Sequence, residues 1–149
     1  MAGSRRRGIP RRRAERRLAR AARQVLAWER AGAARVELTL LAPDAMRRLN
    51  RRVTGRRGIT DVIAFTLPQP DGSILGDVYL CPAAAERWVR NGGGRRESAA
   101  LLREELLRLV VHGTLHVLGY DHPAGPGRER SAMWRTQERY LRRLIAQGH

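Results

Sequence analysis

Lysine is absent from this chain, cysteine occurs once, and the aromatic residues amount to three tryptophans, three tyrosines and one phenylalanine. A lone Cys81 excludes an intrachain disulfide and a multi-thiolate zinc site, and it suits a reducing cytoplasm. No stretch approaches the roughly 18 apolar residues that a membrane-spanning helix needs, so no membrane partner is expected. The arginine-rich start lacks the apolar core of about 7 to 15 residues that marks a signal peptide, although an organelle transit peptide has a similar composition. Acidic residues are also scarce, fourteen against thirty basic ones, for a formal charge of +16.

All thirty cations are arginine. The codon usage of a GC-rich genome accounts for arginine over lysine, but not for the two-to-one excess of cations over anions. That excess points to a polyanionic partner, with nucleic acid first among the classes to test. At 149 residues one domain suffices, long enough to bury about two-thirds of the surface of its unfolded chain.

Residues 1–13, MAGSRRRGIPRRR, combine like charges with Gly and Pro and have little to bury, so a mobile basic tail is expected before a single domain over 14–149. From Ala14, the spacing of Leu18, Ala22, Val25 and Leu26 predicts a helix closing near Gly32. RVELTLL alternates as a half-buried strand. APDAMRRLNRRV reads as a short helix and TGRRGI as a basic loop. Residues 60–67 and 76–82 are β-branched or aromatic runs around an Asp-Gly turn and should pair as a hairpin. Pro82 suits the first turn of a further helix, which Gly92 to Gly94 stop. A long helix follows from about Glu97 to Leu118, apolar nearly all round in its last part, which implies burial on several sides. The final helix, from about Glu129 to Ala146, carries Met133, Gln137, Tyr140, Leu141, Leu144 and Ile145 on one stripe. Strands mixed with helices, without regular alternation, indicate an α+β domain.

The stretch HGTLHVLGYDH, residues 112–122, holds three of the four histidines. His112 and His116 are four apart on a helix and therefore share a face, close enough for one ion to span them. Gly119 permits a left-handed turn that returns His122 toward them from outside the helix. Three imidazoles leave a fourth tetrahedral position open, the layout of a catalytic rather than a structural zinc site. Core or capping histidines are the plainer reading, but two imidazoles on an apolar helix would each need a partner or cost about 1–3 kcal/mol. The spacing H-x3-H-x2-G-x2-H is also that of metzincin peptidases, whose general base directly follows the first histidine. Gly113 stands there instead, so peptide hydrolysis lacks its proton acceptor.

This block resembles the signature H-G-x-L-H-L-x-G-Y-D-H of the YbeY family of metal-dependent endoribonucleases, the rRNA maturation factors, with Val117 where leucine is usual. LN at 49–50, TDVIAF at 60–65, GDVYL at 76–80 and MWRTQERYL near the end are similar to its other blocks in the same order, so the likeness spans about residues 15–147. The resemblance implies an α+β fold with a small mixed β-sheet packed by helices and a metal site at the end of a central buried helix. It implies one Zn2+ per chain, held by His112, His116 and His122, and cytoplasmic hydrolysis of single-stranded RNA in 16S rRNA maturation and ribosome quality control. Ribosomal RNA and the small ribosomal subunit are the implied partners.

In that family an arginine in the loop before T-D-V holds RNA phosphate; counting back from Asp61, its place is taken by Thr54. A threonine cannot supply a guanidinium fork, which leaves Arg52, Arg56 and Arg57 as the candidates for RNA binding. Pro123 and Ala64 stand where the family commonly has an acid and a serine. Asp121 is placed to accept a hydrogen bond from a ligand imidazole, or to cap its loop. Asp61 and Asp77 sit at strand starts, where turn roles compete with chemistry. Arg108, one turn before His112, either faces the metal or pairs with Glu104 or Glu105. Trp28, Trp88 and Trp134 fall on helices, where packing is expected before base stacking. A non-enzymatic RNA-binding assembly factor with a structural zinc is the competing function, and a peptidase the third.

Overall fold

Two-residue alternation in three short segments builds the sheet on which everything else rests. The computed structural model describes residues 11–91 and 98–149. Strands β1 (Ala34–Leu40), β2 (Val62–Pro68) and β3 (Ile74–Leu80) lie in the order β1-β3-β2. β1 runs parallel to β3 and β2 antiparallel to it, so the small sheet is mixed, as expected. The β2–β3 connection is the hairpin anticipated from Asp71-Gly72, with the Asp71 carboxylate accepting the Ser73 N–H at 3.0 Å.

In register, Leu38, Val78 and Ala64 form one cross-strand row, and Leu40, Leu80 and Val62 the next. This face receives α4 (Ser98–Val117), which also packs against α1 (Arg11–Trp28), α3 (Pro82–Asn91) and α5 (Ala132–Ala146). Encirclement explains why the last part of α4 is apolar on nearly every side: Val110, Val111, Leu115 and Val117 are all fully buried or within 1% of it. The opposite face of the sheet buries Ile63 and Cys81 against Met46 of α2 (Pro43–Thr54). Close approach of sheet and helix is possible because Gly76 faces Val117 and Gly113 faces Val78. Thr66 Oγ1 donates to the Val117 carbonyl at 3.2 Å, tying the last turn of α4 to β2.

Some boundaries differ from expectation. α1 begins at Arg11 rather than Ala14, since its arginines are good helix formers, and it ends at Trp28, before Gly32. Arg30 takes the left-handed position, φ 55°, with Ala31 N–H bonded to Leu26 O and Arg30 N–H to Ala27 O. That is a helix-closing motif usually given to glycine. The last helix starts at Ala132, with Ser131 as its N-cap, after a single 3-10 turn at Arg128–Arg130. Ile145, expected on the buried stripe of α5, is 45% exposed. Residues 1–10 of the expected tail and the stop at Gly92 to Gly94 lie outside the described residues. The outer face of α1 shows Arg12, Arg13, Arg16, Arg17, Arg20 and Arg23 exposed, none with an ion-pair partner among the described residues. No helix among the described residues is long and apolar enough to cross a membrane.

Candidate metal centre

α4 carries His112 and His116 one turn apart into its C-terminal end, and Gly119 then ends it. With φ 96°, Gly119 occupies the left-handed position; Tyr120 N–H bonds to Leu115 O and Gly119 N–H to His116 O, the paired bonds of a Schellman closure. The reversed chain brings His122 back to the helix end. The three ring centroids stand 4.5, 5.2 and 5.0 Å apart, and one potential ligand atom from each lies within 4.8 Å of the others.

The outward hydrogen bonds decide which nitrogens are free. His112 Nδ1 is 2.8 Å from Gln137 Oε1, His116 Nδ1 is 2.9 Å from Tyr120 O, and His122 Nδ1 is 3.0 Å from Pro123 O. All three partners are oxygens that only accept, so each Nδ1 carries the proton and each Nε2 is left with its lone pair. Burial, helped by the charges of His116 and Arg128 and opposed by Gln137, pushes His112 down to about 4. His116 is lowered too, by burial first and then by His122, with Asp121 acting against it. Both are therefore neutral near pH 7, the form that binds a cation. Three imidazoles with oriented Nε2 atoms fit a borderline divalent ion of the zinc type, for which His is a preferred ligand.

Gln137 escaped the sequence reading, which placed it on a packing stripe. It is 2% exposed, and an amide on an otherwise apolar stripe of α5 was the available signal. Gln137→Leu keeps the volume and removes the acceptor, so metal affinity should fall about 10- to 100-fold. Titration with a competing chelator measures it, and unchanged affinity would assign the glutamine to packing alone.

The other candidates sort clearly. Asp121 accepts the His122 backbone N–H at 2.8 Å and bonds to no ring, so it is a loop cap. Arg108 is held by Glu104, Glu105 and Glu138 at 3.3, 2.6 and 3.1 Å. Thr54 Oγ1 is bound at 2.8 Å to both the carbonyl and the side-chain oxygen of Asn50. Arg52, Arg56 and Arg57 are exposed and do not line the cleft beside His112. Gly113 faces the sheet, where a β-carbon would come 2.7 Å from Val78 Cγ1; the position of the peptidase base is thus closed by packing. Trp28 packs on the core against Tyr140, but Trp88, expected to pack, is 69% exposed.

The cleft beside His112 has a volume of about 880 Å3 and is lined by Asp61, Trp88, Arg128 and Trp134 among others. Burial pushes the Asp61 carboxyl up, against its backbone hydrogen bonds and the charge of Arg128. Arg128 lies on an irregular segment that gave no periodic signal in the sequence.

The sequence profile described as endoribonuclease YbeY matches residues 4–145. The chain belongs to the YbeY family. Among proteins named endoribonuclease YbeY, it is 39% identical to one from Frankia casuarinae over 122 residues, covering 72% of this chain and 56% of that protein. It is 33% identical to one from a Thermotoga species, covering 74% and 67%, and 36% identical to one from Mycolicibacterium gilvum, covering 77% and 66%. The match thus spans about 56–67% of the length of these YbeY relatives. The solution structure of TM1509 from Thermotoga maritima is similar to the YbeY-type fold found here, with a TM-score of 0.63 and 27% identity over 94% of this chain and 86% of that one.

Proposed function

We propose that the chain is a zinc-dependent endoribonuclease that cuts single-stranded RNA, acting in the cytoplasm on 16S rRNA during its maturation and in ribosome quality control. One observation carries this reading: three imidazoles that each spend Nδ1 on an acceptor oxygen and so offer three Nε2 lone pairs, with His112 on the lining of an open cleft. The named activity of the YbeY relatives and the net charge of +16 support RNA as the substrate.

A divalent ion held there supplies Lewis acidity toward a phosphoryl oxygen and a nucleophile at neutral pH. The chain's own residues do the rest. Gln137, the Tyr120 carbonyl and the Pro123 carbonyl fix ring orientation, which lets the site act without reorganising. Arg128, which lines the same cleft as His112, adds fixed positive charge where phosphate would lie. Arg52, Arg56 and Arg57, exposed on and after the last turn of α2, hold the flanking backbone.

The locked hydroxyl of Thr54 favours a second reading, an assembly factor that binds RNA through these arginines and uses zinc structurally. Cleavage of a single-stranded RNA by the purified protein, before and after exhaustive chelation, separates the two. The nuclease should lose its cleavage on chelation and regain it with added zinc. Salt-sensitive binding with no cleavage in any metal state would favour the assembly factor, and cleavage that survives chelation would refute the metal mechanism.

A further inference from the structure

Trp88 is the most exposed large hydrophobic side chain among the described residues, and it stands on the wall of the cleft that also holds His112. An indole left open to water on a helix surface gives up burial that would stabilise the fold, so its place calls for an occupant. The cleft's charges say which kind. Three arginines and four carboxylates line it, and Arg108 is already paired with Glu105 and Glu138. On a chain with sixteen surplus positive charges, this is a nearly balanced patch. Arg128 can meet one phosphate beside His112, but a longer run of phosphates finds no net positive charge there, whereas a flat, uncharged ring system meets an aromatic face.

Resting on the reading of RNA as substrate, we propose that this cleft is a nucleobase subsite, in which one unpaired base of the RNA stacks on Trp88 in the cleft that His112 also lines. A base inside a duplex has its faces covered by its neighbours and is not free to enter, so the subsite selects single strands. Trp134 on α5, half-buried, lines the same cleft.

The test uses the full chain and a single-stranded RNA oligonucleotide containing 2-aminopurine, whose fluorescence is quenched on stacking. Wild type should quench the probe. Trp88→Ala, a change at an exposed position that leaves the fold and zinc content intact, should lose the quench and bind about 5- to 100-fold more weakly, while Trp88→Phe stays near wild type. Binding of the same sequence as a duplex should not distinguish the three proteins. Equal quench and affinity in wild type and Trp88→Ala would overturn the subsite, as would loss of the quench in Trp134→Ala alone. The readout is taken with both metal-loaded and chelated protein. Absence of cleavage by wild type would therefore count against the nuclease reading, while the quench still decides the subsite.

Discussion

His116→Ala should lose bound zinc and RNA cleavage together while keeping its fold. The ring is half-buried at the end of α4, its Nδ1 bonds only to the Tyr120 carbonyl, and Tyr120 is itself only partly buried, so losing the ring strands no group in the core. Alanine is the best helix former, so α4 loses nothing in propensity. What disappears is one of three nitrogen donors. Loss of a supporting hydrogen bond typically costs about 10- to 100-fold in metal affinity or activity; loss of a ligand should exceed about 100-fold in both. Metal analysis and a single-strand cleavage assay read the two losses, and far-UV circular dichroism reads the fold. A variant that still cleaves at a tenth of the wild-type rate would mean that the trio of rings is not the reaction centre.

Gly76→Ala should be the most damaging small substitution for stability. A β-carbon built there would lie 2.5 Å from Val117 Cγ2 and 3.0 Å from Val117 Cβ. Valine is stiff about χ1 and cannot swing clear. The strain is relieved only by moving α4 off the central strand, which opens the contacts of Val78 and Leu80 with the helix and stretches the Thr66–Val117 bond. Overpacking of this kind costs about 1–3 kcal/mol, a drop in Tm of roughly 3–12 °C for a domain of this size. Because Val117 directly follows His116, metal affinity should fall with it. Thermal melts with and without zinc test both statements; an unshifted Tm would show that the sheet–helix contact is slack.

The histidine frame was legible in the sequence because it depends on local geometry alone: a four-residue helical interval and a glycine able to take positive φ. The long buried helix and the hairpin were equally local. The parallel pairing of β1 with β3 was not, since it joins segments separated by α2 and β2. Closure of α1 at Arg30 was hidden because arginine has no preference for the left-handed region, and only the tertiary setting holds it there. Gln137 shows the same limit in the site itself. Its position on α5 is periodic, but its acceptor role exists only because α4 lies alongside. Arg52, Arg56 and Arg57 adjoin the family pattern only in sequence, whereas Arg128 reaches the cleft through an irregular turn.

The unpaired guanidinium row of α1 lies outside the lining of the cleft beside His112, and that division separates encounter from commitment. Long-range attraction of a polyanion falls as ionic strength rises, while stacking on an indole hardly responds to it. Dilute buffer should therefore hasten the meeting of protein and nucleic acid without changing which nucleotide, once delivered, settles into place.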